Sequence, residues 1–163
     1  MKIVLDTNCF IDAVNPTNPR HLHLQEIFKD SKSGKFTLFI SFHCLHELER
    51  KPDSARDLAK SLPLLPHFPI GAWNEQIGNW SQFAGTWEDA KRNEEIQKDL
   101  TILAKSGVDI RDRGAYIDAF LANADAFVTS DKGLAGKGPS KRIADKYGLK
   151  IMTPESFSAT IFP

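Results

Sequence analysis

The sequence predicts a three-layer α/β/α sandwich around a central parallel sheet. Three observations carry that prediction. Ile3-Val4-Leu5, Phe36-Thr37-Leu38-Phe39-Ile40-Ser41 and Ala126-Phe127-Val128-Thr129 are short runs with the aliphatic and aromatic content of buried strands. Helically spaced segments separate these runs, and such alternation favours a parallel sheet covered on both faces. The 163 residues suit one domain spanning 1–163, since a chain of this length buries about 70% of its unfolded surface.

Residues 2 to 6 are expected to form a central strand. Asn15-Pro16-Thr17-Asn18-Pro19 reads as a loop, and the helix after it carries Leu22, Ile27 and Phe28. Ser33-Gly34 ends that helix before the second strand. The next helix carries Cys44, Leu45 and Leu48 and stops before Pro52. Residues 63 to 85 are irregular, with Pro63, Pro66, Pro69 and Gly71 ahead of Trp73 and Trp80. A lid, a partner surface or a long connection all suit such a stretch. Helical spacing returns over 87 to 106 through Ile96, Leu100 and Leu103, with Gly107 as its stop. A helix over 112 to 123 leads into the strand at 126 to 129. Pro139 opens a helix over 139 to 147, Gly148 caps it, and 149 to 152 form a short last strand.

The composition excludes several classes. Hydrophobic residues at 41% and charged residues at 26% describe a globular chain, not a disordered one. No apolar stretch approaches the ~20 residues of a membrane span, and Asp6 interrupts any signal-peptide core. Cys9 and Cys44 are therefore expected as buried, reduced thiols in a cytoplasmic protein. The 21 basic residues balance 21 acidic ones, unlike the basic surplus of an ordinary nucleic-acid-binding domain. Their distribution is uneven: Lys132, Lys137, Lys141, Arg142, Lys146 and Lys150 face only Asp131 and Asp145 between 130 and 150. A solvated helix face is the plainer reading of that run. A basic margin beside an acidic site, suited to a polyanion, is the other.

The carboxylates point to chemistry. Asp6 and Asp131 each follow a strand, and open parallel sheets bind ligands beyond the carboxyl ends of their strands. Acids gathered there repel one another unless a cation joins them, so the expectation is a divalent-metal site. Each Asp also suits a helix N-cap, a role compatible with coordination. Thr7 and Asn8 are expected to hold the first carboxylate still. On the helix after Ile110, a rotation of about 100° per residue places Tyr116, Ala119, Phe120 and Asn123 on the face of Asp112. Asp118 falls toward the edge of that face, nearer Gly114. An inward carboxylate is costly unless paired or metal-bound, which makes Asp112 the stronger candidate, with an N-cap role as its alternative. Glu47 and Glu49 both flank the stripe of Cys44, Leu45 and Leu48, and helix geometry does not separate them. His43, His46 and Glu47 lack the i, i+4 histidine spacing of a helical zinc pair, so zinc is rejected and surface histidines are expected.

These residues together resemble the PIN-domain nucleases. The strand leading into Asp6-Thr7-Asn8, a glutamate on the helix after the second strand, and Thr129-Ser130-Asp131-Lys132-Gly133-Leu134 carry the likeness, with 112 to 119 and 124 to 129 fitting the third acidic helix and fourth strand. The chain length is similar to that of VapC-type toxins of toxin–antitoxin pairs. Glu47, six residues after Ser41, is where the family's glutamate falls, and the spacing to Thr129 supports Asp112 over Asp118. Ala115 stands where the family has a larger aliphatic residue, and 63 to 85 match no family motif. The resemblance implies a metal-dependent endoribonuclease. Asp6, Glu47, Asp112 and Asp131 would be its catalytic acids and its ligands for Mg²⁺ or Mn²⁺. Thr129 and Ser130 would position a phosphate or a ligand, and Arg113, Lys132, Lys137, Lys141 and Arg142 would meet the RNA backbone. A small antitoxin and a homodimer are the implied partners, with Trp73, Trp80 and Trp87 as candidate interface anchors. Two other readings compete: a PIN-like module that binds nucleic acid or protein without cutting, and a phosphatase-like enzyme with Asp6 as nucleophile. The last is weakened by Asn8, where an acid would be expected.

Overall fold

The computed structural model describes residues 1–65, 110–135 and 138–161, together with Lys91, Glu95, Lys98 and Asp99. Four strands, β1 (Lys2–Leu5), β2 (Thr37–Ile40), β3 (Ala126–Val128) and β4 (Lys150–Met152), form one sheet in the order β2-β1-β3-β4. All three pairings are parallel. Ile3, Val4 and Leu5 are each wholly buried, as are Phe127 and Val128. Successive strand side chains point to opposite faces, so unbroken burial means both faces are covered. The expected α/β architecture with a parallel sheet is what the structure has.

The helices are α1 (Thr7–Ala13), α2 (His21–Lys32), α3 (Phe42–Leu48), α4 (Asp53–Lys60), α5 (Ile110–Leu121), α6 (Lys132–Ala135), α7 (Pro139–Lys146) and α8 (Pro154–Ile161). The strands are a residue or two shorter than the sequence runs, because Asp6, Ser41 and Thr129 leave the ladder at its carboxyl edge. Asp6 and Ser41 instead cap α1 and α3. Gly148, at φ +73°, terminates α7 as expected, in a conformation that costs glycine little. Leu22 is on α2 as expected, but not on its buried face. It is 74% exposed, because the buried face is Leu24, Ile27 and Phe28, and Leu22 falls on the far side of the turn. Lys91, Glu95, Lys98 and Asp99 are helical, in keeping with the spacing over 87 to 106. The other residues of 87 to 106, residues 66 to 85 and the three tryptophans lie outside the described residues.

The core joins the sheet to its helices through aromatic side chains. Phe127 of β3 meets the Tyr116 ring of α5 edge-on at 5.7 Å, and Tyr116 meets Phe120 at 4.5 Å. On the other side, Phe10 of α1 packs on Phe28 of α2 at 6.0 Å. Such pairs add about 0.5–1.5 kcal/mol each beyond their area burial. They tie α1 to α2 and α5 to β3; α1 follows directly on Asp6, and α5 carries Asp112 and Asp118.

Candidate active site

Strand register builds the site. Leu5 pairs with Ile40 and Val128, and Val128 pairs with Met152. The next residues, Asp6, Ser41, Thr129 and Thr153, therefore line one edge of the sheet. All four are small polar residues, suited to ending a strand and starting a helix. Asp6 Oδ1 accepts from the Thr7 amide at 2.8 Å, and Oδ2 accepts from Thr129 Oγ1 at 2.6 Å. Only 5% of Asp6 is exposed, and a buried carboxylate needs donors of this kind.

Thr7 extends the cluster to α3. Its hydroxyl donates to Glu47 Oε2 at 2.5 Å, so one side chain lies between the first acid and the second. Glu49 instead turns away to His46, at 3.2 Å, and is 64% exposed on its side chain. The two glutamates that helix geometry leaves equivalent are thus distinct. Asn8, the other expected support, is exposed on α1.

Thr129 joins the two strand-end acids. While donating to Asp6, its Oγ1 accepts from the Asp131 amide at 3.0 Å. Asp131 Oδ1 accepts from the Gly133 amide at 2.7 Å and caps α6. Ser130 turns the other way: it donates to Asp12 Oδ2 at 2.6 Å, tying the β3–α6 loop to α1. Asp12 also accepts from Asn18 at 2.8 Å, and Arg20 beyond it donates to Glu155 at 2.8 Å. This network pins the strand edge from below and was not anticipated from sequence.

The chain is already helical at Ile110, so Asp112 lies within α5 and not at an N-cap. The side chains of Asp112 and Arg113 lie outside the described residues, as does Lys137. Asp118 lies on the Gly114 side of the buried face and is only 3% exposed, because His43 of α3 covers that edge. Its Oδ2 lies 2.8 Å from Nδ1 of His43, so one of the two expected surface histidines is a tertiary partner. That hydrogen bond raises the His43 pKa, partly opposed by burial. The sequence signal for this contact is Gly114, four residues before Asp118. A Cβ there would sit 2.6 Å from the His43 ring. Lys132, Lys141 and Arg142 are exposed, which a solvated helix face and a basic margin require alike.

Both cysteines are free and buried beneath the site, as expected. Cys9 donates to the Val128 carbonyl at 3.3 Å and Cys44 to that of Leu5 at 3.6 Å. Burial, reinforced by the charge of Asp6, pushes Cys44 up to about 12 and holds Cys9 well above the usual thiol range. Neither thiol is expected to react with a disulfide reagent at pH 8 in the native protein, and both are expected to react in denaturant. Rapid native labelling of either would contradict this burial.

The donor set is made of hard carboxylate oxygens. Among the described residues, no group of three histidine, cysteine or acidic side chains is close enough to cage a metal ion. Asp6 and Glu47 are joined through Thr7, whose amide donates to the one and whose hydroxyl donates to the other.

A solved structure has this fold. A chain in the crystal structure of VapBC2 from Rickettsia felis, bound to a DNA fragment from their promoter, is similar to it with a TM-score of 0.56. The similarity covers 94% of this chain and 98% of that one, at 18% sequence identity. At that identity the likeness concerns the fold. No protein-family model matches the sequence, and no curated protein matches it either. No helix among the described residues is long and apolar enough to cross a membrane.

Proposed function

We propose that this protein is a metal-dependent ribonuclease of the PIN type, acting as the toxin of a toxin–antitoxin pair. The observation that carries the reading is the Asp6–Thr7–Glu47 linkage at the carboxyl edge of the sheet, extended to Asp131 through Thr129. Mg²⁺ or Mn²⁺ would be held by Asp6 and Glu47, with Asp112 and Asp131 completing the set. When bound, the ion supplies positive charge that acidifies water and offsets the charge of a reacting phosphodiester. The chain's own residues do the positioning. Thr7 holds Glu47, Thr129 holds Asp6, and Ser130 anchors the β3–α6 loop through Asp12. Lys132, Lys141 and Arg142, with Arg113 and Lys137, would meet the RNA backbone. A single domain in the cytoplasm, restrained by a small antitoxin and able to dimerise, completes the proposal; the VapBC2 likeness supports that partnership.

The competing reading is a PIN-like module that binds nucleic acid or protein without cutting. Incubating purified protein with single-stranded RNA separates the two. Cleavage in Mg²⁺ or Mn²⁺, stopped by EDTA and restored by excess Mn²⁺, is expected. Intact RNA under all metal conditions would favour the binding module.

A further inference from the structure

His43 sits at the rim of the acid cluster in a way that neither burial nor capping requires. It lies on α3 one turn before Glu47, so the two side chains share a helix face. Its Nδ1 is engaged by Asp118 at 2.8 Å, and its Cγ and Cδ2 fill the space where a Cβ on Gly114 would stand. Two sides of the ring are thereby fixed, which leaves the Nε2–Cε1 edge outward. The side chain is 52% exposed while its Asp118 partner is 3% exposed. A buried carboxylate orienting a half-exposed imidazole is an arrangement that presents Nε2 to a ligand.

The neighbouring charge decides which ligand. Asp6, Glu47 and Asp131 line the same region, and an anionic strand approaching them needs a fixed cation beside them. The hydrogen bond from Asp118 favours the charged ring, with burial opposing it and the charges of Asp118 and Glu47 adding to it. A charged imidazole carries a proton on each nitrogen, so Nε2 donates while Nδ1 remains committed to Asp118.

We infer that His43, clamped between Asp118 and Gly114, binds a backbone phosphate of single-stranded RNA beside the acid cluster. The inference rests on the ribonuclease reading for its substrate. Asp118 is then a positioning residue for the ring.

Direct RNA binding tests it independently of cleavage. Fluorescence anisotropy with a labelled single-stranded RNA compares Asp6→Asn protein with the same protein carrying His43→Ala or His43→Gln. His43→Ala is expected to weaken binding about tenfold, as loss of a charge-assisted hydrogen bond does. The log–log salt dependence should become shallower by about one. His43→Gln, which keeps a donor near the Nε2 position, should recover part of the loss. Should His43→Ala fail to fold, Asp118→Asn serves instead, with weaker binding again expected. A folded variant that binds RNA like its parent, or parent protein that binds no RNA, overturns the phosphate contact. Wild-type protein that binds RNA through His43 and cuts none would overturn the nuclease reading alone. Cleavage with binding independent of His43 would overturn the contact alone.

Discussion

Asp6→Asn is expected to lower RNA cleavage by about 100-fold or more while leaving the fold in place. The separation of the two effects follows from the hydrogen bonds of Asp6. Asn keeps an oxygen for the Thr7 amide, now 2.8 Å from Oδ1, and is as good an N-cap as Asp. Its amide nitrogen would face Thr129 Oγ1, where Oδ2 now accepts, and a hydroxyl can rotate to accept in turn. The stability loss should therefore stay within about 1 kcal/mol. What disappears is the negative charge that would hold the cation. Single-turnover cleavage assays alongside thermal melts measure both effects. Undiminished cleavage by a folded Asp6→Asn protein would sink the assignment.

Phe127→Ala should have the largest effect on stability, about 3–5 kcal/mol. Phe127 is wholly buried in the middle of β3, opposite Val4 on one side and Ile151 on the other. Strand pairing on both edges prevents β3 from collapsing into the space, and Tyr116 would lose its edge-on partner at 5.7 Å. A loss of this size approaches the whole stability of an ordinary domain, about 5–15 kcal/mol. Phe42→Ala is the control: Phe42 is 57% exposed, so its change should fall within about 0.5 kcal/mol. Urea denaturation of the two variants gives the comparison. A cost below about 1 kcal/mol for Phe127→Ala would contradict the described packing.

These two residues show why part of the molecule is legible in its sequence. Phe127 and Asp6 lie in or beside apolar runs whose length and ending are local signals, and β1, β2 and β3 follow from them. The caps at Asp6 and Asp131 are local as well. Glu47 is different. Its distinction from Glu49 comes from Thr7, forty positions away in sequence, and no helical periodicity carries that. For Asp118, apolar spacing alone gives a place at the edge of the helix's buried face and no partner. The structure buries it by supplying His43, 75 positions away. The Ser130–Asp12 link spans 118 positions and is silent for the same reason. Leu22 belongs to α2, as its spacing suggests, but points away from the face that Leu24, Ile27 and Phe28 bury.

The central claim is that the carboxylates at this sheet edge hold a divalent cation. Calorimetric titration of the purified protein with Mn²⁺, beside Asp6→Asn, tests it most directly. Saturable binding at millimolar concentration or below in the wild-type protein, lost or greatly weakened in Asp6→Asn, is the expected result. No Mn²⁺ binding by the folded wild-type protein, or equal binding by both, would contradict it.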